Sequence, residues 1–138
     1  MSARITDRDR GFRALRKRLE QSASVRVGIL HDAPKAEREG APGPSLLEVA
    51  AAQEFGAPEA NVPQSSFIRS TVDANASKAR EMEREGARRV ILGTSTAERE
   101  AERIGETFAG LVRDRIDATV TDTGQLRDAV EHRVERAR

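Results

Sequence analysis

Few side chains in this 138-residue chain have the types and spacing that chemistry needs. His31 and Asp32 stand side by side, and adjacent His and Asp can share one metal in phosphohydrolases built on that dipeptide. Such a centre needs further His and Asp ligands on helices, and the second histidine, His132, lies in a different terminal element with no ligand spacing around it. A polar pair at the end of a strand accounts for His31-Asp32 more simply. Thr94, Ser95 and Thr96 carry hydroxyls, but no positioned His or Lys base accompanies them, and helix capping explains all three. Gly40-Ala-Pro-Gly43 lacks the Lys-Ser/Thr that follows a phosphate-binding loop and reads as a flexible connection. Arg127, Arg133, Arg136 and Arg138 could touch DNA phosphates, yet Asp128, Glu131 and Glu135 interleave with them, the pattern of a solvated charged face. The sequence therefore assigns no catalytic residue, no cofactor and no metal.

Composition narrows the remaining classes. The length suits one domain spanning residues 1–138. With 24 Lys and Arg against 23 Asp and Glu, the net charge of +1 gives no one-signed surface for general binding to nucleic acid. Only 37% of residues are hydrophobic and 3% aromatic, so a solitary copy has modest apolar area and burial between copies would help. The absence of cysteine removes disulfides and thiolate chemistry and fits a reducing compartment. No apolar run approaches the ~18 residues of a membrane span, and the Arg-rich start has no apolar core for a signal peptide. The expectation is a soluble protein made in the cytoplasm.

The elements that would position these residues follow from periodicity. Phe12, Leu15 and Leu19 form a narrow amphipathic stripe, predicting a helix from Thr6 to about Ser22. Val25, Val27 and Ile29 alternate with Arg26, Gly28 and Leu30, predicting a strand. Residues 31–44, with three prolines and many charges, read as a long projecting loop. Ser45, with Glu48 three residues on, begins a helix through a capping box; Leu46, Leu47, Val49, Ala50 and Phe55 give its apolar face and Gly56 ends it. Glu54 is expected to be exposed. Ser70 is expected to cap a helix marked by Val72, Ala76, Ala79, Met82, Val90 and Ile91, with a weak point at Gly86. Ser95 and Glu98 suggest a second capping box ahead of the longest stripe, Ala97 to Ile116. Asp122-Thr-Gly124 is turn chemistry, and from Leu126 the pattern fits a strand or a helix; residues 135–138 form a basic tail. Phe12, Phe55, Phe67 and Phe108 lie on four apolar faces and are expected to meet in one core. The residues alone give a single α/β or α+β domain with a long loop and no catalytic constellation.

Two stretches carry a resemblance. VAAAQEFGAPEANVPQSSFIRST, Val49 to Thr71, resembles the "VA..nEFG…(I/V)P.R.F.R.T" segment of the small neck proteins of long-tailed bacteriophages, the tail-completion or head–tail joining family. DTGQLRDAVEHRV, Asp122 to Val134, resembles that family's "(D)TG.L..S(I/V)…V" strand, in the right order, and VRVGIL (Val25 to Leu30) extends the likeness upstream. Where the family often has an arginine and a second proline before the phenylalanine, this chain has Ser65 and Ser66, so a partner contact made by that arginine is not carried over.

The resemblance implies an α+β fold: a small, mostly antiparallel sheet packed by an N-terminal helix and two long central helices, with the long projecting loop. It tips residues 126–134 to strand. It also implies a structural role without enzyme activity, in which copies form a ring, commonly of six, at the virion neck. That ring completes the tail and joins it to the head. The implied partners are identical copies, a tail tube or tail terminator protein, and a head connector, adaptor or stopper protein, with DNA only in transit through the lumen and no membrane. The implied interface residues are Phe55, Gly56, Val62, Pro63, Phe67, Arg69, Asp122, Gly124 and Leu126. A tail terminator ring is the alternative within this class. Outside it stand a small nucleic-acid-binding regulator using the Arg-rich termini and a metal-dependent hydrolase centred on His31 and Asp32.

Overall fold

The computed structural model describes residues 11–30, 44–119 and 124–136. They form six helices and one two-stranded antiparallel sheet, an α+β fold with long central helices. Helix α1 (Phe12–Leu19) leads into strand β1 (Ala23–Ile29); α2 (Leu46–Phe55), a single 3-10 turn (Pro58–Ala60), α3 (Phe67–Ala74), α4 (Ala76–Leu92) and α5 (Ala97–Thr119) follow; and α6 (Gly124–Asp128) precedes strand β2 (Val130–Arg136).

β1 and β2 pair so that Val25, Val27 and Ile29 face Val134, His132 and Val130 on one side. Helix α5 packs on this side. Its approach is close at Gly105, where a Cβ would stand 2.6 Å from the His132 ring and 2.7 Å from Val25. The opposite side of the ribbon sets Arg26 directly against Arg133, with Glu131 and Glu135 on the same face. Arg26 reaches Glu135 at 3.2 Å. The main core gathers Ile29, Phe67, Val112, Ile116, Leu126 and Val130, so α3, α5, α6 and both strands bury their apolar residues together.

Several local expectations are met for their stated reasons. Ser45 Oγ accepts from the Glu48 amide at 3.2 Å, and the Glu48 carboxylate accepts from the Ser45 amide at 2.7 Å, a complete capping box on α2. Gly56 ends that helix with a φ of 80°, a backbone conformation that glycine adopts without cost.

Other expectations are corrected. The first helix is shorter than predicted within the described residues, Phe12–Leu19, and residues 6–10 and the 31–43 loop lie outside them. Ser70 is an interior residue of α3, which begins at Phe67. The chain bends at Asn75, between α3 and α4, and not at Gly86. Gly86 is buried instead because α5 passes over it: a Cβ there would lie 3.1 Å from Glu100 Cβ. Thr96, not Ser95, caps α5, accepting from the Arg99 amide at 3.3 Å, and Glu98 pairs with Arg136 on β2. Leu126 belongs to α6, and the strand starts at Val130; a leucine and a valine four apart fit either period, and burial of Leu126 from a helical turn decided between them.

The four phenylalanines do not meet. Phe67 and Phe108 are 0% and 6% exposed, whereas Phe12 and Phe55 are 71% and 63% exposed. The core is built largely from aliphatic and alanine side chains instead, Ala109, Val112 and Ile116 of α5 among them.

Candidate functional site

The Glu54-Phe55-Gly56 motif gives three adjacent residues three separate jobs. Glu54, expected to be exposed, is 6% exposed. Its carboxylate accepts from the backbone amides of Ile68 at 2.8 Å and Arg69 at 3.0 Å, and from the Ser66 hydroxyl at 3.1 Å. These amides belong to the first turn of α3, whose preceding residue, Ser66, supplies no side-chain cap of its own. Glu54 is therefore a cap delivered from another helix, placing negative charge at the positive end of the α3 dipole. The α2 carbonyls are met in return: Gln64 Nε2 donates to Glu54 O at 3.2 Å and the Ser65 amide to Gln53 O at 2.7 Å. Between these anchors the loop closes on itself through a reciprocal backbone pair between Ala57 and Val62, at 2.9 and 3.1 Å.

With its neighbours tied down in this way, Phe55 points outward. The Arg69 guanidinium carbon lies 5.7 Å from its ring centroid, within cation–π range. Leu47, also exposed, stands on the same helix. Ile29, Ala51, Ile68 and Arg69 complete a shallow, mostly apolar groove of about 320 Å³ with them.

The remaining residues implied as interface fall in different places. Val62 is half-buried in the loop closure and Pro63 is exposed beside it. A Cβ added at Gly56 would stand 3.3 Å from the Gln64 amide nitrogen, so the loop passes close by. Phe67 and Leu126 are buried in the main core, so in this conformation they hold the fold and offer no surface to a neighbour. Gly124 is exposed at the start of α6; Asp122 lies outside the described residues. Thus Phe55, Arg69, Gly56, Val62 and Pro63 share one region, and Gly124 is exposed at a different element.

A second apolar region lies by α1, which has no buried residue although Phe12, Leu15 and Leu19 form its stripe. Arg18 ties α1 to the end of α4 by donating to Ile91 O at 2.8 Å. Leu19, Val25, Val90, Ile91 and Ile104 line a groove of about 540 Å³ there. Ile91, Leu92, Phe12 and Leu19 are all exposed.

The charged candidates are mutually engaged. Arg127 pairs with Asp117 at 2.9 Å and Arg136 with Glu98; Arg133 stands 4.0 Å from Glu131. Arg138 lies outside the described residues. His132 Nε2 is 2.7 Å from Glu102 Oε1, a surface ion pair or hydrogen bond between β2 and α5. His31 and Asp32 lie outside the described residues, and among those described no group of three His, Asp or Glu side chains is placed to hold a metal. Buried Glu100 takes two hydrogen bonds from Arg89, at 2.9 and 2.7 Å. Those bonds, with Ser95 and Arg103 adding to them, hold its carboxyl down at about 2 from an ordinary 4.5. No described helix is long and apolar enough to cross a membrane.

Comparison with family models, with curated proteins and with solved structures returns no match to this chain.

Proposed function

We propose that this chain is a structural part of the neck of a long-tailed bacteriophage: a ring-forming subunit that completes the tail and joins it to the head, leaving a channel for DNA. The observation that carries this reading is the outward Phe55. The segment that resembles the neck family spends three hydrogen bonds to Glu54 and a closed loop on holding one aromatic ring and Leu47 at the surface. A buried cap that supports an exposed aromatic makes sense where that aromatic is a contact residue, because contact energy concentrates in aromatic anchors that a partner covers. The arginines of β2 and α6 support the same reading over a nucleic-acid regulator, since acidic partners already stand against Arg127, Arg133 and Arg136.

The test is placement in the particle. A tagged copy, visualised by electron microscopy on phage particles, should mark the head–tail junction. Particles made without the chain should give filled heads and normal-length tails that fail to join. Tails of uncontrolled length would shift the assignment to a tail terminator ring, and absence of the tag from the junction would overturn both.

A further inference from the structure

Helix α1 carries few of the features that keep a short helix folded. It is eight residues long, its N-cap residue is Gly11, which has no side chain to cap with, its first turn holds no acidic residue, and none of its residues is buried. Helices shorter than about 12–15 residues are marginal in water, so α1 depends on what it touches. Leu15 and Arg18 are its two half-buried residues. Of these, Arg18 reaches the end of α4. There Arg89 O accepts from the Thr94 amide at 2.9 Å, Val90 O from the Gly93 amide at 3.0 Å, and Ile91 O from Arg18 Nη1 at 2.8 Å. The turn that follows α4 satisfies the first two carbonyls, whereas the third is met by a guanidinium brought from α1, which places positive charge at the negative end of the α4 dipole. Gly93 makes room for it. A Cβ there would stand 2.8 Å from Arg18 Cζ and Nη1, and the φ of 76° at this position is one that glycine adopts without cost.

We propose that α1 is an arm that opens and closes on a body that stays folded, with Arg18 in the notch at Gly93 as its clasp. The separation follows from where the contacts lie. The core of Ile29, Phe67, Val112, Ile116, Leu126 and Val130 is built without α1, so opening the arm breaks no core contact. Residues 20–22 join α1 to β1 and act as the hinge. Segments with few buried apolar contacts open locally at a free energy well below that of global unfolding, and α1 meets that description. The clasp is a charge-assisted hydrogen bond set on a helix terminus, so it weights the closed state without locking it. Opening has a structural consequence. Arg18 and Leu19 form one wall of the groove of about 540 Å³ over Val25, Val90 and Ile104, and an open arm takes that wall away. The device belongs to the fold itself and does not depend on the role proposed for the chain.

Amide hydrogen exchange on the full chain, resolved into peptides by mass spectrometry, reads the opening directly. In the wild type the α1 amides should exchange more slowly than an unstructured chain and at least about 100-fold faster than those of α5, as local opening beside a closed core requires. Arg18→Ala should speed α1 exchange about tenfold, the loss of one charge-assisted hydrogen bond, and leave α5 unchanged. Gly93→Asn should do the same, because asparagine keeps the left-handed stop of α4 while its Cβ takes the place of the guanidinium. The two changes should not add. Arg18→Ala combined with Gly93→Asn should exchange in α1 no faster than Arg18→Ala alone, since each removes the same clasp. Additive effects overturn the proposal, as does unchanged α1 exchange in either single variant. Wild-type α1 exchanging at the unstructured rate means that no closed state exists and overturns it too. Exchange of α1 in step with α5, or a matching rise in α5 exchange in Arg18→Ala, would make α1 part of the cooperative body and reject the arm.

Discussion

At the scale of single residues, Glu54 does more than any other side chain to shape the candidate contact. A carboxylate buried with three donors contributes roughly what charge-assisted hydrogen bonds and a helix cap contribute together. Glu54→Ala should therefore cost about 2–3 kcal/mol and lower the melting temperature by about 10 °C, measured by thermal unfolding. Glu54→Gln keeps one acceptor oxygen and should lose less. Glu100 makes a pH-dependent contribution. In the unfolded chain its carboxyl takes up a proton near the ordinary 4.5, whereas Arg89 keeps it ionised in the fold down to about 2. The stabilisation is thus fully present above about pH 5 and disappears as pH falls from there toward 2; it is on the order of 2 kcal/mol. Denaturant titrations between pH 7 and pH 2 should show this slope in the wild type and a flatter one in Glu100→Gln. Neither role could be read from residue type. A glutamate one place before the last residue of a helix looks like a solvated one, and only the return of the chain at Ser66 puts it inside.

At the scale of elements, the sequence is informative where a signal is local and silent where it depends on a neighbour. Ser45 with Glu48, the stop at Gly56, the alternation of Val25, Val27 and Ile29 and the long stripe on α5 are contacts within a few residues, and each element formed as its pattern directs. The misread Gly86 shows the limit. Gly86 reads as a weak point in a helix, because helix propensity counts only the backbone it sits in. In the fold it is the point where α4 and α5 touch, and Gly105 is where α5 touches the sheet. This difference has a measurable sign. In an isolated helix Gly86→Ala would gain about 1 kcal/mol. Here the added methyl meets a Glu100 side chain held by Arg89 and Arg103, which cannot yield without breaking those pairs. Gly86→Ala should destabilise by about 1 kcal/mol in urea unfolding; a gain would mean that the helices part easily. The bend at Asn75 was invisible for a related reason. The Asn75 amide still makes the helical bond to Thr71 O, and its side chain donates to the same carbonyl at 2.8 Å, a local side-chain bond that asparagine offers but does not always take.

At the scale of the whole molecule, the four rings expected in one core separate into two buried and two exposed. That failure is informative about the candidate site. A pattern of apolar faces identifies positions that must be covered, and does not say whether the cover is the same chain or another copy. Phe67 and Phe108 are covered by the fold; Phe12 and Phe55 are not covered by the described residues. Phe55→Ala should accordingly shift the melting temperature by no more than about 2 °C while reducing assembly on particles severely, and electron microscopy of complemented phage together with calorimetry would show both. A large loss of stability would mean that Phe55 supports its own copy instead. The candidate site was partly legible, since Phe55, Gly56 and Arg69 were named from their motif, while Phe12 and Leu47 were passed over as ordinary stripe residues.

The ribbon of β1 and β2 has one further consequence. Among the described residues it is two strands wide, so each strand forms a rim, and its outer face sets Arg26 opposite Arg133 in the register. Another ribbon added in register at either rim would bring two further arginines into that row, each carboxylate of the face being already engaged by its own ribbon's arginine, so like charges would oppose the addition. Crowded copies are thus discouraged from stacking into fibrils through their strands, and the route left open to them is through their helices.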